Sequence, residues 1–383
     1  MKIVIAPDSF KESLSALEVA EQIEAGFQAV FPDAHYVKLP VADGGEGTVD
    51  AMVAATGGRR VPVRVTGPLG RPVQACYGIT GDGTTAVIEM AAASGLALVP
   101  PEARNPMKTT SFGTGELIRH ALDDGLRRFI IGIGGSATND GGVGMLQALG
   151  ARFLEQDERQ EIGYGGGALA SLAKIATGGM DKRLRESQVT VACDVDNPLT
   201  GPRGASAIFG PQKGATPEMV ASLDRNLKHF ASLVKRDLQR DIDAVPGAGA
   251  AGGMGAALLA FLQAELRPGV EIVIEAIGLA EALEGADLVI TGEGRIDGQT
   301  IYGKAPAGVA RLAKRFGLPV IGFAGSLTRD AEIVHEHGLD AIFSVVNRPC
   351  SLDEAFLDAA NNLRVTARNV AAIIKLAAQL PVS

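Results

Sequence analysis

Both ends of this chain repeat one unit: a short, uninterrupted apolar run, a loop rich in acids and glycine, then apolar residues at helical spacing. Residues 2–6 form the first run, which stops at Pro7-Asp8. Ser15-Ala16-Leu17-Glu18 then has capping-box spacing, and Leu17, Ala20, Ile23 and Phe27 predict a helix that Pro32 ends. Residues 35–42 read as a second strand and 46–56 as a second helix, closed by Gly57 and Gly58. Near the other end, 287–291, 318–324 and 342–346 read as strands. Helices are predicted over 306–316, 330–337 and, in a long Ala-rich stretch, about 351–379. Short apolar runs without alternation are buried on both faces, and strands alternating with helices build a parallel sheet covered on both sides.

Between these ends the pattern changes. Residues 59–99 are β-rich and punctuated by turns, which predicts antiparallel strands, and longer helices and glycine loops then alternate to about residue 265. A chain of 383 residues is long for one core. The expected fold is α/β: a doubly wound parallel-sheet, Rossmann-like domain from residues 1–60 and 270–383, with a second α/β domain, 61–269, inserted into it. The active site is expected in the cleft between them. No fixed-period repeat is present, which excludes a solenoid.

The formal net charge of −8 has the wrong sign for a nucleic-acid or anionic-membrane surface. Cys76, Cys193 and Cys350 lie far apart, with neither disulfide-framework nor zinc spacing, and the first residues do not read as a signal peptide. A cytoplasmic protein is the expectation. The uncharged run 244–262 holds Pro246 and several glycines, so it reads as a glycine-rich loop feeding a buried helix, not a membrane span.

Ligands of open parallel sheets bind outside the carboxyl ends of the strands. Here the first strand runs into Asp8-Ser9-Phe10-Lys11, the second into Asp43-Gly44-Gly45-Glu46-Gly47-Thr48, and a later one into Gly292-Glu293-Gly294-Arg295-Ile296-Asp297. Any one of these loops is an ordinary turn, since Asp and Gly are turn formers. Three on one edge bring carboxylates together, an arrangement suited to phosphoryl transfer: acids hold Mg²⁺ and accept a hydroxyl proton while cations and N–H groups neutralise phosphate. Asp8 suits the base and Lys11 a charge clamp.

Glycine, at 49 residues, is nearly twice its usual share of about 7% and is clustered. The apolar run 129–133 leads into Gly134-Gly135-Ser136-Ala137-Thr138-Asn139-Asp140-Gly141-Gly142 and then a helix at 143–149, a sequence that predicts an anion site at the helix start. Its first part also fits G-x-G-x-x-A, without the acid that a dinucleotide fold places about 20 residues on. Strand 189–193 ends in Asp194-Val195-Asp196, where a turn and a metal site are equally good readings. The stretch from Gly298 to Lys304 mimics a P-loop but has Ala305 in place of the Mg²⁺-binding hydroxyl; Lys304 still precedes a helix start and is a phosphate candidate. The five histidines are scattered and read as surface or packing residues.

In order and content these motifs, together with Ala6-Pro7-Asp8-Ser9-Phe10-Lys11, Pro40-Val41-Ala42-Asp43, Cys193-Asp194-Val195-Asp196-Asn197-Pro198-Leu199 and Gly249-Ala250-Ala251-Gly252-Gly253-Met254-Gly255, resemble the bacterial type 1 glycerate kinase family over essentially the whole chain. Glu12 stands where many relatives have glycine, a departure expected to matter little. The resemblance implies ATP- and Mg²⁺-dependent phosphorylation of D-glycerate, at the 2-hydroxyl, by a monomer or homodimer. Joined to the reading above, it assigns Asp8, Lys11 and Asp194 to catalysis and Ser9, Asp43 and Arg295 to the substrate. Gly134, Gly135, Ser136, Thr138, Asn139, Gly252, Gly253 and Lys304 would hold the nucleotide, and Asp194, Glu293 and Asp297 the metal. Two other readings stay open: a nicotinamide-dependent dehydrogenase of a small hydroxy acid, and a non-catalytic two-lobed sugar-acid-binding protein.

Overall fold

In a computed structural model that describes residues 1–380, the chain divides into two compact units. One comprises Met1–Asp43, Asp50–Gly57 and the chain from Val270 on; the other comprises Gly44–Val49 and Gly58–Gly269.

The first unit is built on a five-stranded, wholly parallel sheet. Its strands lie in the order Ala341–Ser344, Val320–Leu327, Leu288–Ile296, Lys2–Ile5, His35–Lys38. The strand order reverses at Lys2–Ile5: the chain steps one way to His35–Lys38, and the strand on its other side, Leu288–Ile296, belongs to the distant C-terminal part. Such a reversal opens the crevice where doubly wound sheets bind ligands. Ile3, Val4 and Ile5 are fully buried, each worth ~1.5–3 kcal/mol of apolar transfer. Ile3 and Ile5 pack with Ile23 and Phe27 of the helix Ala16–Gln28 and with Leu363 and Val370 of the helix Ala359–Ala377. Ser15 caps the first of these helices through the full capping box with Glu18, as its spacing predicts.

Four elements differ from expectation. The strand beginning at Leu288 runs on to Ile296, so Glu293 and Arg295 belong to the ladder, opposite Ala324 and Ser326. Its glycines read as a loop in sequence, yet a Cβ on Gly292 would lie 2.3 Å from the Phe323 carbonyl oxygen. The second strand stops at Lys38, because Pro40 has no N–H to donate, although the Val41 N–H still reaches the Pro7 carbonyl. The C-terminal helix is two helices, Leu352–Leu357 and Ala359–Ala377, divided at Asp358, and residues 331–337 wind as a 3₁₀ helix.

The second unit holds a six-stranded sheet in the order Glu265–Arg267, Gln188–Ala192, Arg128–Gly132, Thr85–Glu89, Pro72–Ile79, Arg59–Thr66. The first four strands are parallel, and the last two form the expected antiparallel addition. Its core gathers Ile88, Leu117, Phe129, Ile131, Met145, Phe153, Val191, Phe230 and Met254. All three cysteines are free thiols. Among the described residues no helix is long and apolar enough to cross a membrane.

Candidate active site

Asp8 is placed by the edge of the first sheet. Its N–H donates to the Gly292 carbonyl over 2.8 Å, and Thr291 Oγ1 donates to the Ala6 carbonyl over 2.8 Å, so two parallel strands are tied where they end. The Asp8 carboxylate accepts the Ser9 N–H at 2.6 Å. Burial, then the neighbouring charges of Asp43 and Glu293, push the Asp8 carboxyl up to about 7, against the Ser9 hydrogen bond and the Lys11 ammonium. Acids from three neighbouring strands therefore interact: Asp8 and Asp43 follow their strands, and Glu293 lies within its own. Lys11 is exposed beside them, and its backbone crosses Gly294, whose Cβ would lie 3.4 Å from the Lys11 nitrogen.

Glu293 and Asp297 share one cation. Lys304 Nζ lies 3.2 Å from Glu293 Oε2 and 3.3 Å from Asp297 Oδ1. Thr300 Oγ1 donates to Glu293 Oε1 over 2.6 Å, and the exposed Arg295 reaches Asp297 through Nε at 3.0 Å. Burial holds the Glu293 carboxyl above its ordinary value despite Thr300 and Lys304. For Asp297, burial acts upward but the Gln299 N–H, Lys304 and Arg295 outweigh it and hold the carboxyl low. Lys304 sits at the start of the helix Ala305–Arg315, as expected, and its ammonium faces these two acids.

Among the described residues no three His, Cys, Asp or Glu side chains are arranged to hold a metal, so Asp194, Glu293 and Asp297 form no ready-made cage. Mg²⁺ rarely uses one; it keeps several waters and binds through one or two carboxylates plus substrate phosphates. Glu293 and Asp297, whose carboxylates lie together around Lys304 Nζ, fit such partial coordination.

In the second unit the loop after Arg128–Gly132 exposes only Gly134 and Gly135; Ser136 is 6% exposed, and Thr138 and Asn139 are fully buried. The anion site expected at the next helix, Val143–Ala148, is filled by the protein's own Asp140. This buried carboxylate accepts the N–H groups of Gly142 at 3.1 Å and Gly144 at 3.3 Å, and the Ser111 N–H and hydroxyl at 2.9 and 2.8 Å. A dinucleotide pyrophosphate needs that helix terminus, so the geometry disfavours the dehydrogenase reading.

Gly252 and Gly253 are also buried. Both have left-handed backbones, with φ of +68° and +92°, and a Cβ on Gly252 would lie 2.0 Å from the Thr138 carbonyl oxygen. The Gly141 N–H donates to the Gly252 carbonyl over 3.0 Å, so these two glycine loops interlock backbone to backbone. Asp194 is exposed at the end of Gln188–Ala192, its Oδ1 accepting the Gly269 N–H at 3.0 Å. Asp196 pairs with Arg203 at 2.9 Å, and Asn197 donates to the Arg203 carbonyl: the turn reading holds for that pair.

Two buried charges escaped the sequence reading as individuals. Asp140 lay inside the glycine run, and Lys213, 2% exposed, belongs to a Pro-Gln-Lys-Gly stretch with no motif signal.

Comparison with known proteins shows what the chain is similar to. A model described as the glycerate kinase family matches residues 3–375. A glycerate kinase of Bacillus subtilis (strain 168) is 61% identical over 98% of each chain, and a glycerate 2-kinase of Escherichia coli (strain K12) is 60% identical over 98% of each. A crystal structure assigned as glycerate kinase 2 from Salmonella typhimurium LT2 superposes with a TM-score of 0.92 at 62% identity, over 99% of this chain and 100% of that one.

Proposed function

The chain belongs to the glycerate kinase family and is a kinase, and on that premise we propose that it transfers the γ-phosphoryl group of ATP to the 2-hydroxyl of D-glycerate, giving 2-phosphoglycerate and ADP. The observation that carries this reading is the placement of Asp8, whose N–H is tied to the Gly292 carbonyl and whose carboxyl sits at the sheet edge beside Asp43 and Glu293, where burial and those charges push it up to about 7. A general base works best with a pKa near the operating pH.

In the proposed step the glycerate hydroxyl oxygen bonds to the γ-phosphorus, the bond to the β,γ-bridging oxygen breaks, and Asp8 takes the hydroxyl proton. Lys11 and Arg295, both exposed cations next to these acids, suit the glycerate carboxylate and the moving phosphoryl charge. Ser9 and Asp43 line the same edge and orient the substrate hydroxyls. Gly134 and Gly135 approach the nucleotide phosphates, since glycine lets backbone N–H groups come close. Glu293, Asp297 and Asp194 are the carboxylates assigned to Mg²⁺, which supplies charge neutralisation to the phosphates when bound. The free thiols and the absence of basic character support a cytoplasmic enzyme of small metabolites.

The test is ADP release from ATP with D-glycerate, L-glycerate, lactate and glycerol as acceptors. The proposal expects turnover with D-glycerate far above the others. Equal turnover with lactate would reject the need for the second hydroxyl; no turnover with D-glycerate would reject the proposal.

A further inference from the structure

Lys213 is buried to 2% exposure, yet it touches none of the acids assigned above. Its Nζ donates to Ser136 Oγ over 2.7 Å and to the Thr138 carbonyl over 2.7 Å, both in the loop that exposes Gly134 and Gly135. Burial pushes the ammonium down to about 7, and the charge of Asp140 pulls the other way. A buried lysine is costly to keep, and here both hydrogen bonds go to one short turn.

The segment that carries Lys213 underlies this loop at a second point. Ser206 of the helix Ala205–Phe209 accepts Asn139 Nδ2 at 3.0 Å, with both side chains fully buried. From elsewhere in the unit, the Leu96 N–H donates to the Gly135 carbonyl over 2.8 Å and the Thr109 hydroxyl to the Ala137 carbonyl over 2.8 Å. The loop is thus braced on its buried side residue by residue, while Gly134 and Gly135 remain open to solvent. Lys213 supplies the one cationic brace among these contacts.

We propose that Lys213 is a positioning residue for nucleotide binding: its ammonium holds Ser136 and the Thr138 carbonyl from beneath and so sets the shape in which Gly134 and Gly135 meet the ATP phosphates. This rests on the phosphoryl-transfer reading. The residue acts through the loop and never contacts substrate, so its loss weakens nucleotide affinity selectively. A role confined to global stability would not separate the two substrates.

The experiment compares wild type with Lys213→Met and with Lys213→Gln, which keeps N–H donors without the charge. Melting curves establish folding, calorimetry gives the Kd for ADP, and steady-state kinetics give KM for ATP and for D-glycerate. Removing this buried donor leaves the Ser136 hydroxyl and the Thr138 carbonyl unpaired beneath the loop, so Lys213→Met should raise the ADP Kd and the ATP KM about tenfold or more, with the glycerate KM within about twofold. Lys213→Gln should recover part of the loss. ADP affinity within about twofold of wild type in a folded variant, or an equal rise in both KM values, overturns the proposal. Should Lys213→Met fail to fold, Lys213→Gln is read by the same two criteria. Wild-type protein that binds no ADP would instead reject the phosphoryl-transfer reading and this proposal with it, a failure distinguishable from normal wild-type binding with an unaffected variant.

Discussion

The Asp8 N–H donates to the Gly292 carbonyl over 2.8 Å, which hangs the loop after the first strand on the strand that carries Glu293. These strands are neighbours at the point where the strand order reverses, so one backbone hydrogen bond sets the proposed base beside a second acid. Burial and the charges of Asp43 and Glu293 there push the Asp8 carboxyl up to about 7.

Two opposite pH effects follow for Asp8. As a base it must be ionised, so kcat/KM for glycerate should rise through about pH 7 and then level. Asp8→Asn should cut kcat/KM by about 10² to 10⁴. Stability runs the other way. The folded protein keeps the Asp8 proton up to about 7, whereas the unfolded chain releases it near 3.8, so this group withdraws stability as pH rises between those values. One proton held by the folded chain alone changes stability by ~1.4 kcal/mol for each pH step of about one, so Asp8→Asn should melt a few degrees above wild type at about pH 8 and level with it at about pH 4. Normal kcat/KM together with an unchanged melt at the higher pH would remove Asp8 from both roles.

Asp194→Asn and Asp297→Asn should each lower turnover strongly and raise the Mg²⁺ concentration needed for half-maximal rate; the exposed Asp194 should be replaced with little change in melting temperature, whereas Asp297→Asn, which loses the charge facing Lys304 and Arg295, should also melt lower. Titrating Mg²⁺ at saturating ATP reads this directly. An unchanged Mg²⁺ requirement in both variants would contradict the metal assignment.

Gly252→Ala should be damaging to the fold itself. Its Cβ would meet the Thr138 carbonyl oxygen at 2.0 Å, and its φ of +68° is strained for any side chain. Destabilisation of about 3 kcal/mol or more in urea unfolding is expected. A variant of wild-type stability whose ATP KM alone rises would return Gly252 to phosphate contact.

Glu12→Gly should stabilise. Glu12 has φ +66°, a left-handed backbone that costs a residue with a side chain roughly 1 kcal/mol. The departure expected to matter little therefore has a local cost. Urea midpoints should move up by an amount equivalent to about 0.5–1 kcal/mol with activity retained, and a lower midpoint would show that Glu12 makes a compensating contact.

The acidic edge was legible because a strand's end can be read from where its apolar run stops, and parallel pairing then decides which ends share an edge. Asp8 and Asp43 were found in this way; Glu293 was picked out by the same reading, although its strand runs past it to Ile296. Glycine carries no such label. Gly134 and Gly135 are exposed, but Gly252 and Gly292 are glycine because another backbone passes within van der Waals reach, and a sequence shows the two uses identically. Asp140 was hidden for a related reason: whether a helix start awaits an outside anion or already holds a carboxylate depends on how the chain folds back. Lys213 lies 75 residues from Thr138 in sequence, with no periodicity joining them.

The central claim concerns which bond forms, and phosphorus NMR of the product from ATP and D-glycerate tests it most directly when recorded with coupling to protons. A phosphate on the 2-hydroxyl has one proton on the attached carbon and gives a doublet, whereas one on the 3-hydroxyl has two and gives a triplet. The account predicts the doublet, growing as ADP appears and lost in Asp8→Asn. A triplet would contradict the assigned acceptor, and ADP formation without any new phosphate ester would contradict glycerate as the acceptor at all.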